Sequence, residues 1–178
     1  KDLENYVVKE RAPVSGSYHD YQIYSMPPVS SGGVHVVQML NVLEGFDLKP
    51  LGHNSAAYIH RLVETMKYAY ADRSEYLGDP DYYDVPIAGL TDKKYAASIR
   101  GKIDLERATP SKDIGPAPKL PFESNETTHF SVADKMGNVV SMTTTLNFSY
   151  GNAYSVAGAG FLLNNEMDDF SSKPGTPN

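Results

Sequence analysis

The sequence predicts an α+β fold in which helices come first and strands follow. Three observations support this prediction. Two segments in the first half repeat apolar residues at helical spacing, residues 108–126 are rich in proline, and the repeat shortens to two residues beyond them. Helices and strands that occupy separate parts of a chain are typical of α+β proteins.

The helical part is predicted to cover residues 1–107. A short strand at residues 21–26 ends at Pro27, because proline cannot donate a hydrogen bond to a sheet. A Ser/Gly stretch at residues 30–33 then caps a first helix, which ends near Gly45. The apolar positions of this helix are Val36, Met39, Leu40, Leu43 and Phe46.

A second helix is the strongest periodic signal in the chain. Asn54 or Ser55 can cap it, and the Gly-Asp-Pro-Asp sequence at residues 78–81 stops it. Its predicted core stripe consists of Ile59, Leu62, Val63, Met66, Ala69 and Tyr70. A shorter helix is predicted from Thr91 to about Gly101.

Residues 108–126 are predicted to form a linker, since prolines and a glycine interrupt them and few apolar residues lie between. Exposed, extended segments of this kind are where chains are cut. Beyond the linker, residues 127–178 are predicted to be rich in strands. A first strand covers residues 128–134, a hairpin turn covers residues 134–138, a second strand covers residues 139–146, and a third follows at residues 158–163.

Composition excludes several classes of function. The formal net charge of -6 and the pI of about 5.3 argue against a nucleic-acid partner, which needs clustered Lys and Arg. The absence of cysteine excludes disulfides, thiolate metal sites and a cysteine nucleophile. The five histidines lack a metal-binding spacing, so no metal and no cofactor is predicted.

Thr127 follows the proline-rich segment directly, and two interpretations of it are open. The first is an ordinary strand threonine, chosen for β propensity. The second is a nucleophile, which needs a base to take the hydroxyl proton. If the bond after Glu126 is cut, the freed α-amine, with an unperturbed pKa of roughly 7.7–8.0, can be that base.

Several sequence blocks resemble the γ-glutamyltranspeptidase family, in its bacterial form. The stretch Thr-Thr-His-Phe-Ser-Val at residues 127–132 is similar to the start of that family's small subunit. Thr-Leu-Asn at residues 145–147 and the Gly-Phe-Leu-Leu-Asn-Asn-Glu-Met-Asp-Asp-Phe block at residues 160–170 match later motifs. Residues 25–33, 43–46, 71–73 and 78–80 resemble blocks of the large subunit. The resemblance extends over nearly the whole chain.

The resemblance implies a role for each matching residue. Thr127 is implied as the nucleophile of both self-cleavage and catalysis, and Thr145 as the residue that hydrogen-bonds to the Thr127 hydroxyl. Asn147, Glu166 and Asp169 are implied to hold the α-amino group of a γ-glutamyl substrate. Acceptor oxygens of an amide and two carboxylates suit an ammonium group.

The resemblance also implies the fold, reaction and partners. The fold is part of the αββα sandwich of N-terminal-nucleophile hydrolases, with the large subunit up to residue 107, a linker at 108–126 and the small subunit from residue 127. The reaction is γ-glutamyl transfer and hydrolysis of glutathione and similar compounds, with an amino acid or peptide as acceptor. The remainder of the precursor is the protein partner, and the compartment is periplasmic or secreted.

Both ends of the sequence read as cut edges, so an internal piece of a precursor is expected. The family's oxyanion hole and substrate-carboxylate clamp are expected outside this sequence, and the 178 residues alone are expected to be inactive. Two alternatives remain. One is a related acylase or poly-γ-glutamate depolymerase on the same scaffold, and the other is a non-catalytic binding domain in which Thr127 is only a strand residue.

Overall fold

The computed structural model describes residues 1–115 and 127–169, with the side chains of residues 2 and 3 excepted. These residues belong to two compact units, divided between Pro118 and Lys119. The first unit contains helices and one hairpin, whose elements are α1 (Asp2–Asn5), β1 (Val14–Tyr18), β2 (Tyr21–Ser25), α2 (Gly32–Leu43), α3 (Ala56–Tyr76), α4 (Ile87–Leu90) and α5 (Lys93–Arg100). The second contains a hairpin of β3 (Thr127–Ala133) and β4 (Val139–Thr145).

The predicted strand at residues 21–26 is β2, and its partner β1 was missed. The two strands pair antiparallel, with Val14 opposite Ser25 and Tyr18 opposite Tyr21. The sequence of β1 has glycine and two serines among its five residues, so it carries little hydrophobic alternation. Gly16 allows close contact with α2, because a Cβ there would lie 2.5 Å from the side chain of Val37.

Helix α2 was predicted correctly in position, but its core face was wrong. Val36 is 40% exposed, and the buried face is formed instead by Val34, Val37, Gln38, Asn41 and Val42. Because Gln38 and Asn41 on that face are polar, the pattern of apolar residues does not reveal it. The Asn41 side-chain nitrogen donates a hydrogen bond to the Thr91 carbonyl at 2.7 Å, which offsets part of the cost of burying the amide.

Helix α3 begins at the predicted cap, where the Ser55 hydroxyl accepts a hydrogen bond from the Tyr58 N–H at 3.1 Å. The predicted core stripe is only partly correct. Ala69 is buried, whereas Ile59 and Val63 are 44% and 42% exposed within this chain. Buried Glu64 is tolerated because it bonds to the Lys67 ammonium at 2.6 Å and accepts from the Thr109 N–H.

Helix α5 is the predicted third helix and starts two residues later than expected, where the Asp92 carboxylate accepts from two backbone N–H groups. It closes the core of the first unit against α2. A polar bridge also crosses this core, since the Asp72 carboxylate on α3 accepts from the Gln38 amide and the Tyr95 hydroxyl. Burial raises the pKa of Asp72.

The hairpin of the second unit agrees with the prediction within one residue at each end. Its register places Thr127 opposite Thr145 and Ala133 opposite Val139. The connection at residues 134–138 is a tight turn in which Gly137 has a φ of +86°. The Asp134 carboxylate accepts from the N–H groups of Met136 and Asn138 at 2.8 and 2.9 Å, which fixes the turn.

The third strand predicted at residues 158–163 is wrong. This region contains one isolated bridge, between Ser155 and Leu162. Gly158 and Gly160 have φ values of +79° and +74°, which turn the chain and prevent a continuous strand.

The predicted linker is described only up to residue 115, where Ser111–Asp113 forms one 3-10 turn. Residues 116–126 lie outside the described residues, and the assignment of the parts to a large and a small subunit stays a prediction. No helix within residues 1–115 and 127–169 is long and apolar enough to cross a bilayer.

Candidate active site

Thr127 occupies the first position of β3, and Thr145 lies directly across from it at the end of β4. Directly opposed residues of an antiparallel pair have Cβ atoms about 4.5–5.5 Å apart, with their side chains on the same face. Both threonines are exposed. The structure therefore brings the two predicted catalytic residues together at one end of the hairpin.

A tight turn follows Thr145 and aims Asn147. The Asn147 N–H donates to the Thr145 hydroxyl at 2.9 Å, so Thr145 serves as the acceptor of a local turn. Asn147 has a φ of +73°, a left-handed conformation that asparagine tolerates better than most residues. The turn therefore holds Asn147, the third predicted site residue, close to the Thr145 hydroxyl.

The side chain of Asn147 connects the end of β4 to the acidic segment. Its amide nitrogen donates to the Asn165 carbonyl at 3.2 Å and to the Asp169 carboxylate at 3.3 Å. Glu166–Asp169 forms a single 3-10 turn, so Glu166 and Asp169 lie at its two ends. Asn147 and Asp169 are thus in direct contact, and Glu166 belongs to the same turn.

Asn165 is a structural residue of this site that the sequence interpretation missed. Its N–H donates to the Leu146 carbonyl at 3.1 Å, and its side-chain oxygen accepts from the Phe148 N–H at 3.0 Å. Its amide nitrogen donates to the Asp168 carboxylate at 2.9 Å. Asn165 therefore joins the acidic turn to the end of β4 on both sides of Asn147. The adjacent asparagines at residues 164 and 165 were the available signal, but asparagine in a loop is common.

Gly151 supports the same connection from the other side. Its φ is +55°, and a Cβ there would lie 2.0 Å from the Leu163 carbonyl oxygen. That carbonyl accepts from the Asn152 N–H at 3.1 Å. Only glycine allows this close approach, which holds the segment after β4 against the residues that lead into the acidic turn.

The electrostatics of the acidic turn favour a cation. Partial burial, and then the neighbouring Asp169 carboxylate, raise the pKa of Glu166 above its usual range. Within the described residues, neither carboxylate takes part in an ion pair. A ligand ammonium between them would relieve this repulsion. No group of three potential metal ligands occurs in the described parts of the chain.

The arrangement has the features of one class of protein. A threonine begins the first strand of an antiparallel hairpin, just after a proline-rich segment, and a polar, acidic turn lies beside the partner strand. The resemblance to N-terminal-nucleophile hydrolases implies this arrangement, since a strand-initiating Thr, Ser or Cys becomes a chain terminus in that class.

The comparisons with known proteins name the family. The family model for gamma-glutamyltranspeptidase matches residues 1–178, so the chain belongs to the γ-glutamyltranspeptidase family. The chain is 56% identical over 178 residues to the glutathione hydrolase proenzyme of Escherichia coli (strain K12). That match covers 100% of this chain and 31% of the relative. The chain therefore spans about a third of the length of the curated relatives it matches.

Two solved structures confirm the predicted fold class. Helicobacter pylori gamma-glutamyltranspeptidase superposes with a TM-score of 0.63 at 48% identity, covering 70% of this chain and 36% of that one. Cephalosporin acylase from Bacillus halodurans superposes with a TM-score of 0.76, covering 98% of this chain and 30% of that one. Its identity of 24% shows a shared fold alone.

Proposed function

We propose that the full-length protein is a γ-glutamyltransferase and glutathione hydrolase, and that Thr127 is its nucleophile. Self-cleavage between Glu126 and Thr127 frees the α-amine of Thr127. The observation that carries the proposal is the position of Thr127 at the start of β3, opposite Thr145 and in a chain of this family.

The proposed reaction has two steps. The Thr127 Oγ attacks the γ-amide carbonyl carbon of the donor, and its proton passes to the Thr127 α-amine. The carbon–nitrogen bond then breaks, and the departing amine takes that proton, which leaves a γ-glutamyl ester on Thr127. Water or an acceptor amine attacks the ester carbonyl carbon and gives its proton to the α-amine. The bond between that carbon and Oγ then breaks, and the α-amine passes the proton to the departing Oγ, which restores Thr127 for the next cycle.

Thr145 is proposed to orient the nucleophile. Its hydroxyl oxygen accepts from the Asn147 N–H at 2.9 Å, and a hydroxyl that accepts also carries one hydrogen to donate. Because Thr145 lies across the hairpin from Thr127, that hydrogen can be donated to the nucleophilic oxygen. Such a bond would hold the oxygen in one rotamer and stabilise negative charge that develops on it.

The acidic turn is proposed to hold the donor's α-ammonium group. An ammonium has three hydrogens to donate, and the Asn147 side-chain oxygen with the carboxylates of Glu166 and Asp169 supplies matching acceptors. The hydrogen bond from the Asn147 amide nitrogen to Asp169 leaves the amide oxygen for the ligand. Binding of the α-ammonium at the turn limits how far from the turn the γ-carbonyl carbon of the donor can lie.

Replacement of Thr127 tests the proposal in the full-length protein. We expect Thr127→Ala to remain uncut and to lose γ-glutamyl anilide turnover, by at least about a thousandfold as for other nucleophile deletions. Thr128→Ala is the matched control, since Thr128 is the adjacent threonine and points to the opposite face, across from Thr144. The control should be cut and active. Normal processing of Thr127→Ala would show that Thr127 is only a strand residue.

Substrate class is tested with the same wild-type protein. Turnover of glutathione, with little turnover of poly-γ-glutamate or of a glutaryl β-lactam, supports the proposal. Preference for either of the other two substrates would assign a sister activity on the same fold.

We also propose that the cut chains remain associated as a heterodimer and that the protein is periplasmic or secreted. Copurification of both chains and cell fractionation test these two points.

A further inference from the structure

One face of the β3–β4 hairpin is polar at the three residue pairs nearest its Thr127 end. Side chains alternate between the two faces of a strand, so Thr127 shares its face with every second residue of β3 and with their partners on β4. The polar members of this face are Thr127, His129, Ser131, Ser141, Thr143 and Thr145, and the apolar pair of Ala133 and Val139 completes it next to the turn. The imidazole of His129 is its only ionisable group, two residues from the proposed nucleophile.

His129 is held by two hydroxyl groups of the partner strand. Its Nδ1 lies 2.7 Å from the Thr143 hydroxyl, which is directly opposite, and its Nε2 lies 3.1 Å from the Ser141 hydroxyl, two residues further along β4. A neutral imidazole has one donor and one acceptor, and a hydroxyl can be either. Both contacts are therefore satisfied with either tautomer.

These contacts exclude one role for His129 and favour another. Both ring nitrogens are directed at β4, so neither is available to take a proton from Thr127 in this conformation. The ring instead connects β3 to two positions of β4 on the face that carries the proposed nucleophile. Such a two-point connection fixes how far one strand can slide along the other.

The tight turn at residues 134–138 sets the register at one end of the hairpin. At the other end, near Thr127, the sequence of β4 specifies the register weakly. Residues 143–145 are all threonine, so a shift of one residue would still place a threonine opposite Thr127. That threonine would be Thr144, whose side chain belongs to the other face of β4. Asn147, which is held by the Thr145 hydroxyl, would move with the strand.

We propose that His129 is a positioning residue that keeps Thr145 opposite Thr127 by clamping the Thr143 and Ser141 hydroxyls. This inference rests on the proposed function, since it assigns His129 an effect on the Thr127 reaction. It concerns both self-cleavage and turnover, because both use the same oxygen and the same strand pair. Asn147 and Asp169 are joined to each other, so the proposed donor site moves with β4 as a unit. The clamp sets the position of that unit relative to Thr127, so we expect it to affect kcat more than donor binding.

The test uses the full-length protein and variants of His129. His129→Ala removes both contacts, and we expect slower self-cleavage and about a tenfold or greater loss of kcat, with KM for a γ-glutamyl anilide within about threefold. His129→Gln has an amide that can both donate and accept, so it should recover most of the lost kcat. Ser131→Ala is the control on the same face, since the Ser131 hydroxyl lies 3.5 Å from Ser141 and does not contact the ring. It should stay within about twofold of wild type.

A double-mutant cycle tests whether the effect passes through the two hydroxyls. The Thr143→Val, Ser141→Ala pair should reproduce the kcat loss, and adding His129→Ala to the pair should cause little further loss. Additive losses, a loss confined to KM, or wild-type kcat and processing in His129→Ala would overturn the clamp. If His129→Ala does not fold, the Thr143→Val, Ser141→Ala double variant and His129→Gln still show whether the clamp affects kcat.

The result also separates this inference from the proposed function. A wild-type protein that is neither cut nor active on γ-glutamyl compounds refutes the proposed function. A wild-type protein that is cut and active, together with an unimpaired His129→Ala, refutes only the clamp.

Discussion

At the scale of single residues, the candidate site depends on short, local hydrogen bonds. The Thr145 hydroxyl holds the N–H of Asn147, and the Asn147 amide holds the Asp169 carboxylate. Each link is neutral or singly charged and exposed, so each stabilises the fold by about 1 kcal/mol or less. What these bonds supply is orientation: they place one amide and two carboxylates at the end of the strand that faces Thr127.

Glu166 gives a prediction for the pH dependence of donor binding. Its pKa is raised, so as the pH falls the carboxylate takes up a proton earlier than an ordinary glutamate. The charged form attracts the donor ammonium, and KM should therefore rise as the pH falls through this pKa. In Glu166→Gln the group keeps an acceptor oxygen and cannot titrate. We expect its KM to be flatter on the acid side, measured by initial rates with a γ-glutamyl anilide.

The pH dependence of kcat at neutral and alkaline pH serves as the internal control for that experiment. It should be the same in wild type and Glu166→Gln, because the proposed base is the Thr127 amine. If KM rises at acid pH in Glu166→Gln as it does in the wild type, Glu166 does not bind the ammonium group.

At the scale of elements, two glycines with positive φ give a matched comparison in the second unit. Gly151 and Gly158 both adopt left-handed φ values, of +55° and +79°. A Cβ at Gly158 meets open space, so Gly158→Ala should cost only the conformational strain, about 1–2 kcal/mol. Gly151→Ala adds a collision with the Leu163 carbonyl, 2.0 Å away. It should lower the thermal unfolding midpoint further and raise KM, and equal effects of the two changes would contradict the described packing.

Two adjacent glycines provide a similar comparison in the first unit. Gly33 lies in the first turn of α2, and a Cβ there would come 1.9 Å from the Met26 carbonyl oxygen. At Gly32 the nearest atom, the Ser30 hydroxyl, is 3.4 Å away. We therefore expect Gly33→Ala to destabilise the full-length protein in thermal unfolding. Gly32→Ala should be neutral or stabilising, by up to about 1 kcal/mol from helix propensity. A tolerated Gly33→Ala would mean that α2 and the end of β2 are further apart.

The elements also show where sequence reasoning succeeds. The hairpin of β3 and β4 was predicted closely because its signals are local: a two-residue period, β-branched residues and a turn that ends in Gly137. Helix starts at Ser55 and near Asp92 follow from capping by short polar side chains, which is also local.

The failures involve contacts between distant residues. The buried face of α2 contains Gln38 and Asn41, whose burial depends on partners on α3 and near α4, and a single sequence does not supply that pairing. In the sequence alone Asn165 is an ordinary loop residue, and only the structure shows its hydrogen bonds to Leu146 and Phe148. The third predicted strand failed because two glycines with positive φ turn the chain there. The candidate site residues came from the resemblance of whole sequence blocks, and their roles stay predictions.

At the scale of the whole molecule, the proposed activity depends on a covalent event, the cleavage of one peptide bond. Thr127 begins β3, and under the proposed mechanism it gains its base only if the chain is cut immediately before it. In the intact chain the Thr127 nitrogen belongs to an amide and cannot accept a proton. Cleavage at this bond is therefore the central claim.

The intact mass of the purified full-length protein tests that claim most directly. We predict two chains, of which the smaller begins at Thr127, and a single uncut chain for Thr127→Ala. A wild-type protein that remains a single active chain, or a smaller chain that begins at any other residue, would contradict the account.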